Sequence, residues 1–254
     1  MINAEILLNA LENEIEFPII RCPYCEQGFC SIDNSAKINF NTEKSNQFAY
    51  EVGEPTDLEG HFSYKLICRN DMCNEALIVS GRTNVIEDGY DSAFDDSTGE
   101  SQDYPVYQVK HKIDFFSFPI NLINLPKNID TNIKENFLSA FQLFWIDLNS
   151  CGNRLRTVIE LFLDKLNIPE GRLHNRIKHL QQESHEYHSF YKFLTASRLL
   201  GNECTHTYHS VERIDIIKLY TILEHLFSQY YKIDNSTYIT MLSDELITKY
   251  GVEL

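Results

Sequence analysis

The chain has 254 residues, with 37 Asp and Glu against 22 Lys and Arg for a formal net charge of −15, and 43% of its side chains are apolar. That is the profile of a folded protein of one large domain or two small ones, and no apolar run approaches the roughly 20 residues a bilayer span needs. The charge is uneven: residues 1–115 hold 8 basic and 21 acidic side chains and residues 116–254 hold 14 and 16, which excludes an extensive phosphate-binding surface and suggests two regions of different character.

In chain order, Ile6, Leu7, Ala10 and Leu11 have the spacing of a short helix over residues 2–13. The opening Met1-Ile2-Asn3-Ala4-Glu5 lacks the basic stretch and cleavage site of a secretory signal. Seven cysteines, an odd number, do not make a disulfide scaffold, so a reducing, cytoplasmic setting is expected. From about 15 to 120 the pattern is that of strands: Phe17 to Ile20, Phe62 to Ile67, Ala76 to Val79 and Val106 to Phe118 are rich in β-branched and aromatic residues between turn formers. Pro119 and Pro126 mark a crossing, after which the apolar period becomes 3.6. Ile133, Phe137, Phe141, Phe144 and Leu148 share one helical face, and Leu155, Ile159, Phe162 and Leu166 another. Further helices are predicted near 171–183, 186–200, 210–231 and 239–249. The expected fold class is α+β, with a β-rich domain over 1–126 and an all-α domain over 127–254.

Within the first region, Cys22-Pro23-Tyr24-Cys25 and Cys68-Arg69-Asn70-Asp71-Met72-Cys73 form two close cysteine pairs on turn-forming residues. Two such turns assemble four thiolates around one tetrahedral Zn²⁺ in a zinc ribbon. The alternative is four reduced, partly buried cysteines. A closed four-thiolate site leaves no position for water, so the zinc is expected to be structural. Only Arg21, Lys65 and Arg69 lie near the turns, which favours a folding staple or protein-docking module over a nucleic-acid site. Cys30, Cys151 and Cys204 read as small core residues.

Seven acids (Glu87, Asp88, Asp91, Asp95, Asp96, Glu100, Asp103) without an intervening Lys or Arg read as a solvated mobile loop, or else as a docking segment for a basic partner or a DNA-like decoy. Their spacing is not that of a calcium loop. The pairs His185/His188 and His206/His209 read as surface or helix-end histidines. His-Glu-x-x-His, phosphate-cradling Gly-rich and Gly-x-Ser-x-Gly motifs are absent, which leaves zincin proteases, P-loop NTPases and α/β-hydrolases without support.

The most informative stretch is Arg198-Leu199-Leu200-Gly201-Asn202-Glu203-Cys204-Thr205-His206, which reads as the end of one helix, broken at Gly201-Asn202, with a restart before Val211. Upstream, Arg156 and Glu160 stand at i,i+4 on one helical face. With the cysteine pairs and Leu173-His174-Asn175-Arg176-Ile177, these segments resemble domain-of-unknown-function family 4145, grouped with the HEPN superfamily and found beside restriction and phage-defence genes. The resemblance runs from about residue 20 to 230. It implies a four- or five-helix bundle that pairs as a homodimer. Active HEPN members are metal-independent ribonucleases that bring an Arg and a His from each protomer to RNA, and the positions matching that motif are Arg198, Asn202 and His206. Seven residues separate Arg198 from His206, against four to six in the active pattern. Two functions are therefore expected: an endoribonuclease effector of a phage-defence or toxin–antitoxin system, or a non-catalytic zinc-ribbon/HEPN adaptor in a defence complex. In the second, Asn202 and His206 cap helix ends, Arg198 pairs with a carboxylate and Arg156 with Glu160.

Overall fold

The structure, a computed structural model, describes residues 20–95, 100–183, 190–206 and 211–250. The helix predicted over 2–13, the acid Asp96 and the histidines 185, 188 and 209 lie outside these. The chain divides into two compact units, Met1–Ile120 and Asn121–Leu254. Among the described residues no helix is long and apolar enough to cross a membrane.

The first unit is an antiparallel five-stranded sheet in the order β1-β2-β3-β4-β5. The strands are β1 (Ile20–Arg21), β2 (Phe29–Asn41), β3 (Glu59–Cys68), β4 (Ala76–Asp95) and β5 (Glu100–Phe116). In β3 every second residue is buried, from Gly60 through Phe62, Tyr64 and Leu66 to Cys68. Leu77 and Val79 of β4 and Ile113 and Phe116 of β5 are likewise buried. In β3 and β4 this is the period-two burial of a sheet with one covered face; in β5 a register slip opposite Ser80 and Gly81 sets the two buried residues three apart.

Two expectations for this unit need correction. A helix, α1 (Glu43–Val52), stands where only strands were expected. The Thr42 hydroxyl accepts the Ser45 N–H at its start, and Gly53, at φ 82°, donates its N–H to the Ala49 carbonyl at its end, a left-handed position that favours glycine. The acidic segment, read as a loop, continues a long hairpin: Asp91 faces Tyr104, Ser92 faces Asp103 and Asp95 faces Glu100. Main-chain pairing satisfies polar residues as well as apolar ones. Thr83, Val85, Ile86, Tyr104, Val106 and Val109 also have strand propensity. The register slips between Glu87 and Tyr90, where Gly89 adopts φ 115°.

The second unit contains α2 (Thr131–Ile146), α3 (Leu148–Lys165), α4 (Leu173–Glu183), α5 (Phe190–His206) and α6 (Arg213–Tyr250). The predicted stripes are its core. Ile133, Phe137, Phe141 and Phe144 of α2 are buried, as are Leu155, Ile159 and Phe162 of α3. Phe227 of α6 packs at 4.9 Å on Phe162 and 5.3 Å on Phe137, measured between ring centroids. Leu148 belongs to the first turn of α3 rather than to the α2 face. Between α2 and α3, Asp147 caps α3 by accepting the N–H groups of Asn149 and Ser150 at 3.0 and 3.1 Å. The Ser150 hydroxyl, which also donates to the carboxylate at 2.5 Å, and then those two N–H groups hold the Asp147 carboxyl below its usual range. Arg176 of the 173–177 motif is buried and braces the end of α3. It donates to Asp164 at 2.6 Å and to the Ile168 and Glu160 carbonyls at 3.1 and 3.4 Å.

Two helix boundaries also differ from expectation. The helices predicted near 210–231 and 239–249 are one helix, Arg213–Tyr250. Asp234-Asn235-Ser236-Thr237 is a stretch of weak helix formers, but neither Gly nor Pro interrupts it. Nor does α5 break at Gly201-Asn202; it runs on to His206. Gly201 is retained inside the helix because a Cβ there would lie 3.3 Å from the Cβ of Arg156 on α3. About one turn further along the same crossing, a Cβ on Gly152 of α3 would collide with the Cys204 sulfur of α5. Each mid-helix glycine costs roughly 1 kcal/mol against alanine, and the close crossing of α3 and α5 is what that cost permits.

Candidate functional site

The cysteine turns carry the first candidate site. At the first turn the Cys22 N–H donates to the Gly28 carbonyl at 2.8 Å and the Glu26 N–H to the Cys22 carbonyl at 3.0 Å. At the second, the N–H groups of Cys73 and Asn74 donate to the Asn70 carbonyl at 2.8 and 2.9 Å. Each turn closes on a left-handed residue directly after its second cysteine, Glu26 at φ 54° and Asn74 at φ 48°. The two turns thus close in the same way, although the bond starts at Cys22 in the first and at Asn70, two residues past Cys68, in the second; the pairing of β2 with β3 brings them together. Gly28 is needed where they meet, since a Cβ there would lie 2.6 Å from Cys68 Sγ and 2.7 Å from the Asn70 Cβ.

This arrangement gathers Cys22, Cys25, Cys68 and Cys73, whose sulfurs all lie within 4.8 Å of one another. Cys22 to Cys73 and Cys25 to Cys68 are each 3.8 Å. A metal–sulfur bond of about 2.3 Å in a tetrahedron requires sulfur–sulfur edges of about 3.8 Å, so the set is sized for one metal ion. The Gly28 N–H donates to Cys25 Sγ at 3.3 Å, and the Asn70 N–H and Nδ2 donate to Cys68 and Cys25 at 3.5 and 3.8 Å. As free thiols, Cys25 and Cys68 are ill-matched. The amides of Gly28 and Gln27 bring Cys25 down to about 6, while burial holds Cys68 up at about 12. Four thiolates this close repel one another, and a bound cation is what makes that state favourable.

The second candidate site is polar and lies between α3 and α5. Arg156 donates Nη1 to Asn202 Oδ1 at 2.6 Å and Nε to Glu160 Oε1 at 3.3 Å. The expected Arg156–Glu160 pair therefore forms, but it extends to a residue 46 positions away. Asn202 is not a helix cap: it lies four residues inside α5, and its carbonyl oxygen is taken by Arg156. Arg198, half-buried, stands one turn before Asn202, and His206 one turn after it as the last residue of α5. Because α5 is unbroken, the seven-residue interval places Arg198, Asn202 and His206 at i, i+4 and i+8 along one side of the helix. The His206 side chain lies outside the described residues.

Arg156 is the residue that sequence reasoning left out of this group. The available signal was Gly201, whose missing side chain leaves room for an arginine from another helix. Cys30, Cys151 and Cys204 are buried as expected, with Cys151 Sγ 3.3 Å from Tyr220 Oη.

Residues 139–248 match the family described as Domain of unknown function (DUF4145). Residues 12–108, which include both cysteine turns, match a different one, Domain of unknown function (DUF8608). The likeness to the first family is thus confined to the helical part of the chain. Neither curated proteins nor solved structures gave a match.

Proposed function

We propose that the helical unit is a HEPN-type module and that the protein is a metal-independent endoribonuclease, the effector of a prokaryotic phage-defence or toxin–antitoxin system. It would act in the cytoplasm as a homodimer paired through the helices. The observation that carries this reading is the continuity of α5 from Phe190 to His206, which aligns Arg198, Asn202 and His206 despite their wide spacing. Arg156 holds Asn202 in place at 2.6 Å.

In this reading His206, whose side-chain type titrates near neutral pH, takes the proton of a ribose 2′-OH or delivers one to the leaving oxygen. The 2′-oxygen attacks the adjacent phosphorus, the bond to the 5′-oxygen breaks, and the products are a 2′,3′-cyclic phosphate and a 5′-hydroxyl. Arg198 stabilises the charge that grows on the phosphoryl oxygens. DNA lacks the attacking hydroxyl and is spared. The four cysteines hold a structural Zn²⁺ in a zinc ribbon, inferred from the all-thiolate set and its tetrahedral edges. The ribbon's part is to dock a partner protein or the substrate.

The direct test is His206→Ala. Cleavage of RNA, or toxicity in cells, should fall by about 10²–10⁴-fold with the melting temperature unchanged. The residual product should still end in a cyclic phosphate. Arg198→Lys keeps the charge but loses the planar fork, and should lower the rate without unfolding the protein. Wild-type protein that cuts no RNA, alone or with its natural partners, would sink the enzyme reading.

One observation favours the second reading, a non-catalytic adaptor in a defence complex. Arg156 is committed on both sides, to Glu160 and to Asn202, as an internal brace would be. If that is its whole role, Arg156→Met lowers the melting temperature and alters no chemistry.

A further inference from the structure

A fifth cysteine lies beside the metal site, and nothing assigned to that site uses it. Cys30 of β2 is fully buried and is the cross-strand partner of the ligand Cys68 on β3. The Arg69 N–H donates to the Phe29 carbonyl at 2.8 Å, joining the residue after Cys68 to the residue before Cys30. In an antiparallel ladder that pattern marks Cys30 and Cys68 as a non-hydrogen-bonded pair, whose Cα atoms are about 4.5 Å apart with side chains on the same face. Disulfides span Cα separations of roughly 4.4–6.8 Å. The pair is thus within bridging range with both strands in place.

We propose that Cys30 is the resolving thiol of a peroxide-sensitive metal site, and that oxidation ends in a Cys30–Cys68 disulfide with release of the metal. The proposal rests on the reading of the four cysteines as a metal site. The oxidant is a hydroperoxide, and it meets Cys25, which is half-buried, before Cys68 and Cys30, which are buried. The Cys25 thiolate attacks hydrogen peroxide: an S–O bond forms, the O–O bond breaks, and a sulfenic acid and hydroxide result. Cys68, whose sulfur is 3.8 Å from that of Cys25, attacks the oxidised sulfur and displaces a second hydroxide. Two ligands are now joined to each other and the metal leaves. One hydroxide takes the Cys30 proton as water, and the Cys30 thiolate attacks the Cys68 sulfur and releases Cys25 as thiolate. Two thiols have been oxidised and one peroxide reduced to water and hydroxide.

The geometry gives this endpoint a structural consequence. The metal ties one turn to the other, whereas a Cys30–Cys68 bridge ties β2 to β3 within the sheet. Oxidation therefore frees the turns and leaves the strands stapled in register. Restoring the thiols and supplying metal would rebuild the site on an unchanged sheet.

The experiment begins with the metal content of the full chain, purified under reducing conditions and loaded with Zn²⁺. A chain that takes up no zinc disproves the metal reading, and the proposal with it. If zinc is bound, hydrogen peroxide is added while release is followed with a chromogenic zinc indicator and the disulfides are mapped by peptide mass spectrometry. We expect about one zinc released per chain, a Cys30–Cys68 cross-link, and full recovery of zinc binding after dithiothreitol and fresh Zn²⁺. Cys30→Ser, with Cys30→Val as the variant that preserves apolar burial, should bind zinc before oxidation. After it, sulfinic and sulfonic acids should accumulate on the ligands, with loss of most of the recovery. Zinc released from the wild type while Cys30 stays alkylatable overturns the proposal. So does a Cys22–Cys30 bridge, or a Cys30 variant that recovers as fully as the wild type.

Discussion

The two units of the molecule solve the problem of stability in different ways. The helical unit buries large side chains all through its interior: Phe137, Phe141, Phe144, Phe162, Phe190, Tyr220 and Phe227 are fully buried. The sheet unit buries one face. Its largest fully buried side chains are Phe62, Phe116, Leu66, Leu77 and Ile113, and its cysteine turns extend beyond them. A turn made of Cys, Pro, Asn and Asp has little apolar surface to bury, so its conformation has to be held by something other than packing. In the proposed reading, a metal held by the four sulfurs, which lie within 4.8 Å of one another, supplies that crosslink. Dense packing holds one unit, and in that reading coordination holds part of the other.

Removing the metal should separate the two most sharply. Structural zinc in small domains is worth about 10–16 kcal/mol of apparent binding energy. Chelation, or Cys68→Ser, is therefore expected to release the turns around residues 22–28 and 68–76 and leave α2–α6 protected. Hydrogen exchange followed by mass spectrometry reads both units in one experiment. Loss of protection in both would mean that the helical unit leans on the metal as well. No loss in either would show that the turns hold without it.

The converse change is Phe162→Ala. Phe162 contacts Phe190, Phe227 and Tyr230 at ring-centroid distances of 6.2, 4.9 and 5.1 Å. Emptying such a position costs about 3–5 kcal/mol. Chemical denaturation should show that loss in the helical signal, with the zinc content of the protein unchanged. A fall in zinc content would break the division of labour.

The smallest effect is expected at Asp147, the cap between α2 and α3. Asp147→Ala should cost about 0.5–2 kcal/mol at neutral pH. The folded carboxyl is held below its ordinary value of 3.8, so the ionised form is the one that folding favours. Its contribution is complete above the unfolded value and is lost as pH falls through the lower folded value. Thermal melts of the two proteins should therefore differ at pH about 7 and converge at about pH 2. A difference that persists in acid would assign the effect to packing instead of the charged cap.

Much of this contrast was legible in the residues. The 3.6-residue apolar stripes are short-range patterns, and they marked the core faces of α2 and α3 except at their last residues, Leu148, which opens α3, and Leu166, half-buried just past its end. The two close cysteine pairs marked the four sulfurs that the fold brings together, because a tight turn sets two nearby side chains on the same side. The i,i+4 pair of Arg156 and Glu160 needed nothing beyond helical geometry. Errors arose where a local signal competed with a partner far along the chain. Gly201-Asn202 reads as a helix end in isolation, yet contact with Arg156 on another helix keeps it helical. Glu87, Asp91, Asp95, Glu100 and Asp103 read as a loop until the facing strand supplies their main-chain partners.

The sequence by itself determined which segments would bury apolar surface, the period at which they would do so, and which four cysteines form two close pairs, since periodicity and close spacing are properties of neighbours along the chain. Only the tertiary structure decided that α5 runs unbroken past Gly201, that Asn202 accepts from Arg156 across 46 positions, and that Cys30 stands opposite Cys68. Those outcomes depend on strand register and on how closely two helices cross. Both are set by the summed packing of many distant residues, which no single stretch of sequence encodes.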